Sequence, residues 1–432
     1  MAMDGKELVE KLAKLSQVQS IKDIPHLTHA LFPGTHCPLM GAAMAVGGIK
    51  DSLIVVVGTD ECTYYTKSMT IHSEKFGGID GRCVSVVLDD HDVTFGSAEK
   101  VQEAFKEIIE EYRPQCVFLV TTCVIEIIGD DFDAISEGLS KLYGIPVLPV
   151  HTEHFKCEDH LPGLERTITV CAEMMKSCDC DNSVNLLGQR MGDFATTELY
   201  AMLQKAGVKI GLQLPCGCSV DDIKNAAAAK VNIVVNDIAL PLAQKMQEKF
   251  GIPYVYFNKF VIPEKIYEAY KNLFGYLELE LPEELEGLYQ NAREEIEKNK
   301  GELEGITYIY GNTPYAVFEM NCFLSSLGMV PQVIQTNRYT EADEPYAKEI
   351  LQYTDPYVCK AANIAPLQYV YDVLSPYLYL GHEFGNRLRQ KGIAIVHSDR
   401  ASGMLGFEVT GYLLQQLVKS VREAKEYRKE LG

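Results

Sequence analysis

Three cysteines carry the densest chemical signal in the chain. Cys37 sits in Gly34-Thr35-His36-Cys37-Pro38, Cys62 in Gly58-Thr59-Asp60-Glu61-Cys62, and Cys123 in Thr121-Thr122-Cys123. Cys62 follows Cys37 by 25 residues, and Cys123 follows Cys62 by 61. Neither a hairpin staple nor a zinc ribbon has that spacing. It suits a site assembled from separate strand ends, and three thiolates with one open corner suit an iron–sulfur cluster. A cubane needs four ligands, so the fourth has to come from a partner chain, a symmetry mate or another local residue. Taken singly, any of the 13 cysteines reads as a small buried apolar residue; position after strand ends sets these three apart. Asp60 and Glu61 read as a solvated turn.

Other segments offer reactive groups. His151-Thr152-Glu153-His154-Phe155-Lys156-Cys157-Glu158-Asp159-His160 holds three histidines. They can deliver protons near neutral pH, or ligate a metal with Cys157 or Glu153. The ordinary alternative is a polar loop satisfied from within. Cys216-Gly217-Cys218 lies between a strand and a helix start, a setting that lowers a thiol pKa, although two thiols cannot fill a tetrahedral site. Cys178-Asp179-Cys180 lies in a turn between units and reads as incidental. Gly188-Gln189-Arg190-Met191-Gly192 and Gly311-Asn312-Thr313-Pro314 are post-strand loops able to meet an anion. No Gly-x4-Gly-Lys-Ser/Thr motif occurs, so this chain is not expected to hydrolyse ATP itself. His382 and His397 fall near strand ends.

The elements that must position these groups alternate. The apolar runs 53–57 and 115–120 read as buried parallel strands. Cys62 and Cys123 come just past their carboxyl ends, where open α/β sheets place sites at a topological switch. Further strands are expected at 83–88, 145–150, 183–187, 208–213, 231–235, 254–257, 306–310, 329–335, 356–359, 377–380 and 393–397. Helices are expected at 97–112 with Ser97 as N-cap, at 220–229 opened by a Ser219/Asp222 capping box, at 283–304, and from about 406 to the end. Residues 1–30 read as a helical lead-in, with Leu8, Leu12 and Leu15 on one face. The small residues of Met40-Gly41-Ala42-Ala43-Met44-Ala45-Val46-Gly47-Gly48 would let a helix or turn approach a bulky cofactor closely. The fold class is α/β. Three units follow: 1–180 with the cluster cysteines, 181–300 ending in a crossover helix, and 301–432 ending in the C-terminal helix.

At 432 residues, 47% hydrophobic and 23% charged, the chain is globular and large enough for several domains. Its formal charge of −20 argues against nucleic acid or an anionic membrane as partner. No apolar run approaches the ~20 residues of a membrane span, and the amino terminus lacks the apolar stretch of a signal peptide. Thirteen irregularly spaced cysteines then imply a reducing cytoplasm, an anaerobic setting and metal chemistry rather than disulfides.

Thr121-Thr122-Cys123-Val124-Ile125-Glu126-Ile127-Ile128-Gly129-Asp130-Asp131 resembles the signature of the nitrogenase component 1 superfamily. That group contains the subunits of the molybdenum–iron protein, its assembly scaffold, and the dark-operative protochlorophyllide and chlorophyllide reductases. Cys37-Pro38-Leu39-Met40-Gly41-Ala42-Ala43, Gly58 to Cys62 and Asp92-Val93-Thr94-Phe95-Gly96 resemble further blocks. The likeness continues through Asn185-Leu186-Leu187-Gly188, Ala229-Lys230-Val231-Asn232, Lys249-Phe250-Gly251-Ile252-Pro253 and Val396-His397-Ser398.

The resemblance implies three Rossmann-like parallel α/β/α domains around a central cleft. It implies Cys37, Cys62 and Cys123 as cluster ligands at a subunit interface. There they would hold a 4Fe–4S cluster, with a partner's ligand as in the protochlorophyllide reductase, or a larger shared 8Fe–7S cluster. It places His151, His154 and His160 beside the active cavity as catalytic candidates, and Cys216, Cys218 and Cys157 as possible additional metal ligands. The function implied is the iron–sulfur catalytic component of an ATP-dependent reductase. It would work as a homo- or heterodimer or tetramer fed by a separate iron protein. The alternatives are a scaffold for assembling a complex iron–sulfur cofactor, or a non-catalytic subunit sharing a cluster. Register on Gly251-Ile252-Pro253 places Val235 where nitrogenase has its cofactor cysteine. The loop Asp399-Arg400-Ala401-Ser402-Gly403-Met404-Leu405 lacks the cofactor histidine, so no FeMo-cofactor of nitrogenase type is expected.

Overall fold

The apolar runs become strands sealed on both faces. In the computed structural model, Ser52–Gly58 and Cys116–Thr121 are buried at every position, as parallel strands covered by helices must be. The structure describes residues 4–28, 36–71, 81–157, 159–190, 192–311, 313–361 and 364–431. Gly34, Thr35, Glu158, Met191 and Asn312 of the motifs above lie outside the described residues.

Three sheets carry the chain. The first runs Cys83–Val87, Ser52–Gly58, Cys116–Thr121, Val147–Val150, all parallel. Its earliest strand lies inside, so the connections leave to both sides and the switch point falls between Ser52–Gly58 and Cys116–Thr121. The second sheet runs Tyr254–Tyr256, Val231–Val234, Val184–Gln189, Ile210–Pro215, again parallel and again with its earliest strand inside. The third runs Tyr357–Cys359, Val330–Gln335, Thr307–Tyr310, Leu378–Leu380, Ala394–Val396 in parallel. The short pair Ile49–Lys50 with Cys218–Ser219 ties the first part of the chain to the second. Every expected strand is present within a residue or two. Among the described residues no helix is long and apolar enough to cross a membrane.

Four local expectations are corrected. The lead-in is not one helix: after Gly5–Glu10, Ala13–Lys14 pairs antiparallel on the edge strand Tyr357–Cys359. Leu8, Leu12 and Leu15 are buried, but against the third sheet rather than the first. Ser97 sits at the N-cap of Ala98–Tyr112 without capping it; its backbone N–H and hydroxyl both donate to Asp130 Oδ2, at 2.7 and 2.5 Å. The helix opened by the Ser219/Asp222 capping box stops at Lys224. The carbonyls of Lys224 and Ala228 accept from Lys176 and Asp181 instead of continuing it. Finally, the small residues after Cys37 serve a helix crossing. A Cβ on Gly41 would lie 1.9 Å from the His160 carbonyl oxygen, and one on Gly163 would lie 1.8 Å from that of Pro38. Helices Pro38–Gly47 and Leu161–Val170 thus touch backbone to backbone.

Candidate functional site

The cysteine triad is built at the switch point of the first sheet. Cys37 is the N-cap of Pro38–Gly47, Cys62 lies in the first turn of Asp60–Ile71, and Cys123 opens Cys123–Ile128. Thr122 ties the two strand ends together, its hydroxyl donating to the Val57 carbonyl at 2.9 Å. Gly58 is required there, since a Cβ would meet Thr122 Oγ1 at 2.2 Å. All three thiols are half-buried and free. Burial pushes the Cys123 thiol up, and the neighbouring Cys62 and Cys37 push it further, while the backbone N–H groups of Val124 and Cys123 pull the other way. Thr59 donates to Cys62 Sγ at 3.6 Å. Asp60 and Glu61 are exposed on the same turn, and hydrogen bonds from the Glu61 N–H and from Thr59 lower the Glu61 carboxyl.

Among the described residues, no three His, Cys, Asp or Glu side chains close on one point as ligands of a single ion would. Cys62 and Cys37 lie close enough to Cys123 to act on its thiol, and thiols are the side chains that hold iron–sulfur clusters.

Glu126, inside the same signature, was given no role by the sequence reading. Its carboxylate accepts from Thr121 Oγ1 at 2.8 Å, Thr152 Oγ1 at 2.9 Å, the Glu153 N–H at 2.5 Å and the His154 N–H at 3.1 Å. It therefore clamps the histidine loop to the helix that begins with Cys123. Arg166 closes the loop from the other side, donating to the Thr152 carbonyl and to Glu153 Oε2, each at 2.5 Å.

The three histidines face different partners. His151 Nε2 stands 3.2 Å from Asp133 Oδ2, outside hydrogen-bond geometry. His154 stacks edge-on against Phe155. His160 turns inward, edge-on to His36 at 6.3 Å between centroids, and burial with the nearby Arg190 pushes its pKa down to about 4. Of the three, only His160 reaches the interior polar group described below. Cys157 is taken by the loop itself, donating to the Thr152 carbonyl at 3.7 Å with Arg166 beside it.

Cys216 and Cys218 part company. Cys218, 1% exposed, belongs to the apolar core with Cys116 and Cys171. Cys216 donates to the Arg190 carbonyl at 3.2 Å. Burial raises both thiols, Cys218 up to about 12, the reverse of the lowering expected from the helix start. Ser219 and Asp222 occupy that helix start instead. Val235 is fully buried in the core of the second sheet. Cys178 and Cys180 are exposed. His382 pairs with Asp399 at 3.3 Å on the surface, and His397 is exposed.

A second polar group gathers where loops of the three sheets meet. Arg190, one residue past Val184–Gln189, faces Cys216, Arg338, Asp237 and Asp159. Lys259, 8% exposed, faces Arg190 and Asp237, and burial pushes its amine down to about 8. Arg338 follows Val330–Gln335 and lies near His160 and Glu165. Glu319 is buried with Oε1 unpartnered and Oε2 3.9 Å from Lys265 Nζ; burial raises it to about 7. Sequence reasoning singled out the loop around Arg190 but missed Lys259, Arg338 and Glu319. Their signal was position alone: charged residues within three of a buried strand's end, or on the helix after one.

The sequence profile of the family described as "Nitrogenase component 1 type Oxidoreductase" matches residues 37–422. The nitrogenase iron-molybdenum cofactor biosynthesis protein NifE of Clostridium pasteurianum is 31% identical over 224 residues, 51% of this chain. That stretch spans about half (49%) of the relative's length. NifE of Rippkaea orientalis is 25% identical over 73% of this chain and 69% of its own. The nitrogenase molybdenum-iron protein alpha chain of Methanosarcina barkeri is 25% identical over 68% of this chain and 58% of its own. A solved structure, "Nitrogenase Cp1 at pH 6.5", superposes with a TM-score of 0.76 over 91% of this chain and 94% of its own, at 15% identity, a likeness of fold.

Proposed function

The chain belongs to the nitrogenase component 1 family of oxidoreductases, and on that premise we propose that it is the iron–sulfur catalytic component of an ATP-dependent reductase served by a separate iron protein. The observation that carries this reading is the gathering of Cys37, Cys62 and Cys123 at the switch point of the first sheet. A cluster held there, 4Fe–4S or a larger shared 8Fe–7S, supplies one-electron storage and relay when bound. The chain's own residues do the rest. Three helix starts direct N–H groups toward the anionic thiolates. Glu126 and Thr122 fix the turns that carry them. His160 and the polar group of the cleft hold the substrate beyond. Val235 offers no thiol, so a nitrogenase-type FeMo-cofactor is not held at that position.

The absence of a phosphate loop from the sequence supports an external ATP-hydrolysing partner. Large apolar side chains stand exposed on the elements that carry or flank the triad: Tyr64 at 73% and Phe95 at 76%, with Ile127 and Phe155 similar. They supply the apolar surface a second component 1 chain, identical or different, would cover while completing the ligand set.

The likeness to NifE supports a second reading, a scaffold on which a complex iron–sulfur cofactor is assembled. Anoxic purification followed by mixing with the cognate iron protein, dithionite and either MgATP or MgADP separates the two. A reductase component shows cluster reduction and substrate turnover with MgATP only. A scaffold instead releases a cofactor to an acceptor and turns over nothing. Equal reduction with both nucleotides, or full iron content in Cys123→Ala, overturns the leading reading.

A further inference from the structure

We propose that Thr59 is a positioning residue for electron uptake, its hydroxyl donating to Cys62 Sγ and thereby favouring the reduced state of a cluster held by Cys37, Cys62 and Cys123. The inference rests on the reading of that triad as cluster ligands, and it names the neighbour that sets how readily the cluster takes an electron.

The contact is local and fixed on both sides. Thr59 follows the strand Ser52–Gly58 directly and stands just before the helix Asp60–Ile71, with Cys62 three residues on. A Thr at a helix start offers its oxygen to the first N–H groups and keeps one hydroxyl hydrogen for another acceptor. Here that acceptor is sulfur: Thr59 Oγ1 lies 3.6 Å from Cys62 Sγ, within the longer reach of that atom. The strand end is held by the Leu88 N–H, which donates to the Gly58 carbonyl at 2.9 Å. The helix is held by Thr66, whose hydroxyl donates to the Cys62 carbonyl at 2.9 Å, and by Thr63, paired with Ser85 Oγ at 2.8 Å. Neither end of the contact is free to drift. Among the described residues, Cys37 and Cys123 meet no side-chain hydroxyl, and Cys123 takes backbone N–H groups instead.

An electron added to an iron–sulfur cluster raises the negative charge on its ligating sulfurs. A donor aimed at such a sulfur therefore holds the reduced state more tightly than the oxidised one, and hydrogen bonds of this kind help to set the potential. The step moves one electron from the iron protein to the cluster. No bond breaks, and the hydrogen stays on Thr59 Oγ1. That hydrogen has a second acceptor on the same turn, the exposed Glu61 carboxylate. One hydrogen does not serve both fully, so Glu61 competes with Cys62 and weakens the donation to sulfur.

The test is an anoxic redox titration of the full, cluster-bearing chain, followed by EPR. Thr59→Val keeps the shape of the side chain and removes the donor. It should lower the reduced-to-oxidised ratio at a fixed potential by about tenfold, a midpoint lower by about 59 mV for one electron. Thr59→Ser, which keeps the hydroxyl, should stay at the wild-type midpoint. The exposed Thr196→Val, whose hydroxyl donates to the Asp193 carbonyl at 2.8 Å far from the triad, should change nothing. Glu61→Ala should raise the midpoint more than Asp60→Ala, which removes the same charge from the same turn, and the excess should vanish in the Thr59→Val background. Because Thr59→Val can misfold, the Glu61 and Asp60 variants are also read in an otherwise wild-type chain. An unchanged midpoint in Thr59→Val, the same drop in Thr59→Ser, or equal shifts in Glu61→Ala and Asp60→Ala overturns the inference. Any of these in a protein whose Cys62→Ala variant loses its iron sinks this inference alone; full iron content in Cys62→Ala sinks the reading of the triad itself.

Discussion

Replacing Glu126 by Ala should release the histidine loop while leaving the sheets intact. The carboxylate takes four hydrogen bonds from two hydroxyls and two backbone N–H groups. Thr121 has an alternative, since its hydroxyl also lies 3.3 Å from the Val150 carbonyl. The Thr152 hydroxyl, buried at 1% exposure, and the N–H groups of Glu153 and His154 show no other partner. A buried donor left unpaired costs about 1–3 kcal/mol, and bonds to a charged acceptor are worth somewhat more than neutral ones. Three such losses sharing one carboxylate are not additive, so about 3 kcal/mol is the expected cost of local opening. That corresponds to roughly a hundredfold faster amide exchange in the loop. The assay is hydrogen exchange by mass spectrometry on peptides covering 150–157. It reads the local event directly, whereas a chain with three sheets need not unfold in one step. Glu126→Gln should be intermediate, because one amide oxygen can still accept but the NH2 faces donors. Wild-type exchange of the Glu153 and His154 amides in Glu126→Ala would refute the clamp.

Three further outcomes follow from packing and titration. Gly163→Ala places a Cβ 1.8 Å from the Pro38 carbonyl and should cost about 3 kcal/mol or more as the helices separate. Gly138→Ala, with nothing within 4 Å, should stabilise by up to about 1 kcal/mol in the same thermal melts. Glu319 keeps its proton to about pH 7 in the native state, whereas the unfolded chain gives it up near 4.5. Native protein therefore binds more protons between these values, and wild-type stability falls as pH rises through them. Glu319→Gln should gain on wild type across that window, levelling off above pH 7 at about 3 kcal/mol, and a pH-independent difference in melting temperature would contradict this. Cys218→Ala should retain full iron and sulfide after anoxic purification, since its thiol lies in the core, whereas Cys37→Ala and Cys62→Ala should lose most of both.

The parallel strands of the three sheets were legible in the sequence, because most are short apolar runs closed by their own turn residues, whereas the antiparallel edge strand Ala13–Lys14 was not. The capping box at Ser219 and the helix Glu284–Leu303 were legible for the same reason, being decided by neighbours in the chain. Cys62 and Cys123 could be singled out by their place after strands, and Cys37 by the small-residue block that follows it. Tertiary structure alone decided what depends on strand order and on partners distant in sequence. It set Ser52–Gly58 beside Cys116–Thr121, and so put Cys62 and Cys123 at one switch point. It spent the small residues after Cys37 on a helix crossing, turned Cys218 into the core while leaving Cys216 at Arg190, and moved the lead-in onto the third sheet. It gathered Arg190, Lys259 and Arg338 from two sheets. No local pattern marks such residues, because a charged side chain past a strand reads the same whether it meets water or a cleft, and only long-range packing determines which.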